Sequence, residues 1–191
     1  MDFTLQGSLE LPESDITLDL SFASVNSDFK KLLSLVPAIY TRSFNTVQAD
    51  GEIEIKGLVK GVITDSTNSD FDANVRIQNA SFNYPSMPKS ARDINIDLDY
   101  HYDGSYYDSS TLAVNQLHLN LGGNLVDAAL NLKNPDSDPF ISGNLMANIN
   151  LASLADIIPL DDMQLSGKIE GNLSWSGRYS YIENEQYDAF D

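Results

Sequence analysis

The chain has 191 residues, no cysteine and a formal net charge of −17. That charge repels phosphate backbones and disfavours nucleic-acid binding; without cysteine there are no disulfides, thiolate metal sites or cysteine nucleophiles. A hydrophobic fraction of 42% is too high for a disordered acidic tail and is enough for a core.

No stretch approaches the ~18 consecutive apolar residues of a membrane span. The first residues, Met1-Asp2-Phe3-Thr4-Leu5, lack the basic region and apolar run of a signal peptide. A strand-like start directly after Met1 fits a piece of a longer protein.

Alternation dominates the chain from there on. Ile16, Leu18, Leu20 and Phe22 alternate with Thr17, Asp19 and Ser21, a period of two that gives a strand one apolar and one wet face. The pattern then changes. Phe29, Leu32, Leu33 and Val36 fall on one helical face, with Ser27 as N-cap and Pro37 as stop, which predicts an amphipathic helix over 28–36. A strand or hairpin punctuated by Gly51, Gly57 and Gly61 is expected over 47–61.

Alternation resumes in Phe71, Ala73, Val75 and Ile77, and in Ile94, Ile96, Leu98, Tyr100 and Tyr102. It continues in Leu117, Leu119 and Leu121, in Leu130 and Leu132, and in Leu145, Ala147, Ile149 and Leu151. Leu151, Leu154, Ala155 and Ile158, stopped by Pro159, predict a second helix over 151–158, with a strand after it over 163–177. Between these runs stand Asp- and Asn-rich turns such as 65–70, 103–105, 122–124 and 134–139. Asp and Asn close turns through side-chain hydrogen bonds and tolerate left-handed backbone angles. Strand, turn, strand at this spacing reads as an antiparallel meander.

The order helix, proline, glycine-framed strand occurs twice. Gly51 and Gly61 align with Gly167 and Gly177, giving an internal repeat of about 120 residues. One unit is helix 28–36 plus strand 47–61; the other is helix 151–158 plus strand 163–177. Such repetition in a β chain suggests an array built by adding hairpins.

Candidate sites are few. His101 and His118 stand on the polar phase of strands, without the spacing of metal ligands, and read as solvated. Asp65, Asn68, Asp70 and Asp72, and Asn134, Asp136 and Asp138, miss the calcium-loop pattern and read as solvated turns. Tyr100, Tyr102, Tyr106 and Tyr107 cluster near a turn; core packing is preferred over a sugar-stacking site. No motif marks a catalytic serine, so an enzyme is not expected, nor any cofactor or metal. The apolar strand faces remain. They are either the two halves of a closed sandwich or the lining of an open groove, which would need a hydrophobic occupant.

A family resemblance bears on that choice. It is carried by Leu18-Asp19-Leu20-Ser21-Phe22 running into Phe29 through Tyr40, then by the frame from Gly51 to Gly61. Ala80-Ser81-Phe82-Asn83-Tyr84-Pro85, Ile94-Asn95-Ile96-Asp97-Leu98 and Leu165 through Gly177 complete it. This succession resembles AsmA family proteins, especially those of Bacteroidota, which are similar in architecture to TamB and the bridge-like lipid-transfer proteins. The resemblance implies a mostly β fold: an elongated, curled antiparallel sheet forming a groove, with two short amphipathic helices. It implies a parent anchored in the inner membrane and extending through the periplasm, with the anchor outside this chain. The function it implies is non-enzymatic: conduction of phospholipid between inner and outer membrane, with phospholipid acyl chains as partners. Residues 1–191 would be one segment of that groove.

The alternation then nominates the lining: Ile16, Leu18, Leu20, Val75, Ile77, Ile94, Ile96, Leu98, Leu117, Leu119, Leu121, Leu130, Leu132, Ile169, Leu173 and Trp175. Two rival readings are a β-rich scaffold assisting outer-membrane protein assembly and a glycan- or protein-binding β-module.

Overall fold

The computed structural model describes residues 2–12, 15–25, 28–30, 48–85, 88–105, 107–157 and 164–189. The alternating runs form nine strands: β1 (Asp2–Glu10), β2 (Ile16–Val25), β3 (Gln48–Ile63), β4 (Asp70–Asn83), β5 (Ala91–Tyr102), β6 (Thr111–Leu121), β7 (Asn124–Lys133), β8 (Phe140–Asn150) and β9 (Lys168–Arg178). Each pairs antiparallel with its sequence neighbour, so spatial order is chain order. They make one sheet with β1 and β9 as its edges, open and not closed on itself. The two-sheet sandwich allowed by the alternation is not formed.

Each turn joins strands that lie side by side, so the turns fall at two ends. The β2–β3, β4–β5, β6–β7 and β8–β9 connections share what we call the upper end, and the others share the lower. Both segments predicted as helices belong to upper connections. Of the first, only Asp28, Phe29 and Lys30 are described; residues 31–36 lie outside the described residues, as do Val47, Tyr106, Ile158 and Met163. The second is a correction. Residues Leu151–Asp156 form a 3-10 helix rather than an α-helix continuing to 158. Asn150 caps it, its side chain accepting from the Ala152 N–H. Six residues are too few for the α-helical stripe that the spacing suggested.

β3 is one continuous strand of 16 residues, the strand rather than the hairpin of the two forms expected over 47–61. β9 starts at Lys168, after Gly167 at φ 110°. A short helix, α1 (Tyr179–Glu183), comes after β9 without any apolar period to announce it. It is clipped to the β7–β8 turn instead. The Tyr179 N–H donates to the Pro139 carbonyl (2.8 Å), and the Ser180 N–H (3.0 Å) and hydroxyl (2.9 Å) both donate to Asp138.

The fully buried core is small and sits at the upper end. Ile53, Ile77, Ala80, Ala91 and Ile94 from β3, β4 and β5 pack with Phe29 and Ile157. Phe29 and Ile157, one from each long connection, therefore plug one end of the sheet. Asn124 fastens the second of these connections. Its Nδ2 donates to the Leu121 carbonyl (2.6 Å) and to Ser153 Oγ (2.7 Å), and its Oδ1 accepts from the Asn150 N–H (2.7 Å). Asn124 is 6% exposed. Asn124→Ala should cost about 2–4 kcal/mol by leaving partners unsatisfied, visible as a lower urea midpoint with loss of Ile157 packing.

At the lower end, acidic turns staple neighbouring loops. Asp108 accepts from the N–H groups of Asp136 (3.0 Å) and Ser137 (2.9 Å) and from the Ser137 hydroxyl (2.7 Å). The Ser137 amide, then its hydroxyl, hold the Asp108 carboxyl below the ordinary aspartate range. The Ser180 amide does the same for Asp138. A carboxyl with a depressed folded pKa contributes stability that is complete above its unfolded value, near ~4, and is lost as pH falls through the folded one. Protection of the Asp136, Ser137 and Ser180 amides, taken relative to the intrinsic exchange rate at each pH, should therefore be high near neutral pH and fall only in acid below that unfolded value. Asp108→Ala should remove the near-neutral protection of Asp136 and Ser137 alone.

Candidate functional site

Antiparallel partners point to the same side of a sheet, so register decides which side chains share a face. One row reads Phe22, Gly57, Ala73, Tyr100, Leu112, Leu132, Ile141, Gly177 from β2 to β9. A second reads Ile53, Ile77, Ile96, Leu117, Ala128, Leu145, Leu173 from β3 to β9. Every residue in both rows is apolar or glycine. On β1, Leu5 and Leu9 pair with Phe22 and Leu18 and extend the face to that edge.

All sixteen nominated residues lie on this face. They differ in how it is covered. Ile77 and Ile94 belong to the buried core, and Val75, Ile96, Leu119 and Leu121 pack against it. Leu18, Leu20, Leu98, Leu117, Leu130, Leu132 and Trp175 are half-buried. Ile16, Ile169 and Leu173 are exposed, the last at 58%. The nomination thus joins two environments, a plugged upper end and an open remainder. Among the described residues, extensive packing between strands runs only from each strand to its neighbour, so no second layer covers the open part.

The face continues across strands whose alternation breaks. Ile77 to Ala80, Ala91 to Ile94 and Val114 to Leu117 are each three residues apart yet share a side. In each case a β-bulge inserts one extra residue and bends the strand. The bulges at Asn79 (φ 49°) and Asp93 (φ 56°) use residue types that tolerate a left-handed backbone. The Asn79 N–H, which the ladder leaves free, donates to Asn95 Oδ1 (3.0 Å), and Asn95 Nδ2 donates to the Asp93 carbonyl (2.9 Å).

Glycines on the face make room for rings. Phe22 on β2 stacks with Phe71 on β4 across the intervening β3, centroids 6.2 Å apart. This is possible because a Cβ at Gly57 would lie 2.1 Å from Phe22 Cζ. The row extends to Phe3 (6.5 Å from Phe22) and Tyr100 (5.9 Å from Phe71). Likewise the Trp175 indole occupies the space over Gly143.

The sequence nomination missed Phe22, Phe71, Leu112, Val114, Ile141 and Leu145, which share the face. The first two stood in plain alternation and could have been included. Leu112 and Val114 could not, because the bulge hides their phase.

The opposite face is polar and cross-linked. Asp97 accepts from Arg76 (2.9 Å) and Asn74 (2.9 Å). Burial pushes the Asp97 carboxyl up, but these hydrogen bonds outweigh it and hold the group below the ordinary aspartate range. The histidines are not simply solvated. His101 Nδ1 lies 2.6 Å from Asp72, and His118 Nδ1 lies 2.6 Å from Asp127, each across a strand pair. Sequence distance concealed both pairings. Among the described residues no cluster of three His, Cys, Asp or Glu is arranged to hold a metal ion.

Of the clustered tyrosines, Tyr100 and Tyr102 are engaged. The Tyr100 hydroxyl bonds to Ser110 Oγ (3.3 Å), and the Tyr102 hydroxyl accepts from Asn68 Nδ2 (3.4 Å). No helix among the described residues is long and apolar enough to cross a membrane, which leaves strands out of account. No family model, curated protein or solved structure matches the chain.

Proposed function

We propose that the chain is a non-enzymatic segment of a lipid-conducting groove. The observation that carries this reading is the apolar face that crosses from edge to edge of an open sheet and lacks a second layer over its open part. Eight spacings of about 4.8 Å make that face roughly 38 Å long. Its open part, left without a second layer among the described residues, calls for an apolar occupant. A lipid acyl chain fits that requirement. Each CH₂ kept from water contributes roughly 0.8 kcal/mol, so a two-chain lipid leaves such a surface slowly, yet moves along it without exposing its tails. The residues of the open part are chemically alike, which leaves no deep trap on the way.

The resemblance to AsmA family proteins supports the same reading, and with it we propose a parent anchored in the inner membrane, extending through the periplasm and working in outer-membrane biogenesis. Phospholipid is the proposed cargo.

The test is native mass spectrometry of the gently purified chain. Near-stoichiometric phospholipid is expected. Leu130→Asp, half-buried on the open part, should reduce it several-fold with unchanged far-UV circular dichroism. A wild-type chain that emerges lipid-free, and stays so after incubation with phospholipid, sinks the reading. One observation favours a second reading, a scaffold for β-rich clients. All nine residues of edge strand β1 are exposed, without a lysine, proline or bulge to guard them. Binding of an extended peptide by such a chain, in place of lipid, would decide for the scaffold.

A further inference from the structure

Among the described residues no strand lies beyond β9, and Lys168 to Ser174 are exposed along that edge, the apolar Ile169 and Leu173 included. The chain leaves β9 toward the β7–β8 turn, away from the free edge, where Tyr179 and Ser180 bond to Pro139 and Asp138. An edge of this kind presents a row of unpaired backbone N–H and C=O groups that accepts a further strand.

Charge and symmetry select the strand. The opposite edge, β1, carries Asp2 and Glu10 and no cation. β9 carries both signs, in Lys168, Glu170 and Arg178. A two-fold axis along the sheet normal turns a second copy end for end and keeps its apolar face on the same side. At this edge it sets β9 against β9, antiparallel, as β9 already lies against β8.

Residues that face one another in an antiparallel ladder share a side, so the contact can be read pair by pair. With Ser174 on the axis, Glu170 of each copy faces Arg178 of the other. Asn172 faces Ser176, and Ser174 faces itself. On the apolar side Leu173 faces Trp175 and Gly171 faces Gly177. Centring Leu173 instead would set Lys168 against Arg178 and Gly171 against Trp175. Full overlap of β1 with β1 would set Asp2 against Glu10. The two charges also have capacity left. Glu170 holds Lys168 through Oε2 and keeps Oε1, while Arg178 reaches Asp138 only through Nη1, at 3.5 Å.

We propose that β9 pairs with β9 of a second copy of this chain, joining the two sheets edge to edge. Residues 170–178 of the copies exchange roughly eight to ten backbone hydrogen bonds. The apolar face then runs from one copy into the other. The pairing does not rest on the lipid reading, because it needs no occupant on that face.

Sedimentation velocity of the full chain from about 5 to about 200 µM tests this. Wild type should pass from monomer to dimer and go no further, because the two-fold axis uses both β9 edges. Glu170→Arg and Arg178→Glu should each weaken the dimer at least about tenfold, since each sets like charges together twice. Mixed in equal amounts, the two variants should recover it, because each supplies the sign the other lacks; a folding defect is not cured by mixing. Asp2→Lys, on the far edge, should change nothing. A chain that stays monomeric throughout overturns the pairing. So does growth past the dimer that Asp2→Lys alters, which marks β1 joined to β9 head to tail. Single variants that weaken the dimer without rescue on mixing overturn it too. A lipid-laden monomer overturns the dimer alone, and a lipid-free dimer overturns the lipid reading alone.

Discussion

Ile77→Asp should unfold the chain, whereas Leu173→Asp should leave it folded. The two residues occupy one row of the same apolar face, so sequence pattern gives no reason to treat them differently. Their surroundings do. Ile77 is 5% exposed, enclosed by Ile53, Ile94 and the plug residues Phe29 and Ile157. Removing its side chain costs about 2–5 kcal/mol, and an unpaired carboxylate left there costs several more. The total rivals the roughly 5–15 kcal/mol by which a domain of ordinary stability is held folded. Leu173 is 58% exposed on edge strand β9, where a carboxylate keeps its water. Its replacement should fall within about 0.5 kcal/mol. Urea unfolding followed by far-UV circular dichroism measures both. Equal destabilisation by the two would mean that the whole face is enclosed, which is incompatible with an open track. Leu119 behaves as Ile77 does, since it packs against the capped core. A substitution there reads folding, and the lipid test belongs on Leu130 or Leu173.

The fold class was legible because a period of two is a local property. Ile94, Ile96 and Leu98 declare a face without reference to any other strand. The Asp- and Asn-rich turns mark where each strand ends, and short turns leave little choice but to pair neighbours. What local pattern does not carry is the phase between separate runs. Asn79 and Asp93 look like ordinary polar residues of a strand, yet each is the inserted residue that rotates the next apolar side chain back onto the common face. The His101–Asp72 and His118–Asp127 pairs depend on that phase too, which is why isolated histidines were all the sequence offered. The helix over 151–158 failed for a different reason. Its spacing fits an α-helix, but the Asn150 cap and the buried anchor Ile157 close it after two tight turns. The choice between sandwich and open sheet needed long-range pairing, since both are consistent with the same alternation.

Gly51→Val tests the device that keeps the face continuous. Gly51 stands on the apolar phase of β3, opposite the Asn79 bulge of β4, with φ at 133°. A Cβ there would lie 2.5 Å from the Cα of Ala80, which is itself fully buried. Valine meets two costs at once. A non-glycine residue in that backbone region is strained by about 1–3 kcal/mol, and forcing added bulk into a packed site costs about 1–3 kcal/mol. The backbone neighbour cannot rotate away as a side chain would. We expect a loss of roughly 2–6 kcal/mol, or a register slip at the upper end of β3. A slip has its own signature, because one residue of shift moves each side chain to the other face. Ala49 would leave the core and Asp50 would enter it, so the slip is opposed by a buried carboxylate and the destabilised native register should prevail. Hydrogen exchange separates the outcomes. Destabilisation in register raises exchange across the whole sheet, whereas a slip confines new exchange to 48–53 and 77–82. Full wild-type stability in Gly51→Val would mean that the bulge does not need glycine opposite it, and that the face above Ile53 is joined to the rest by some other contact.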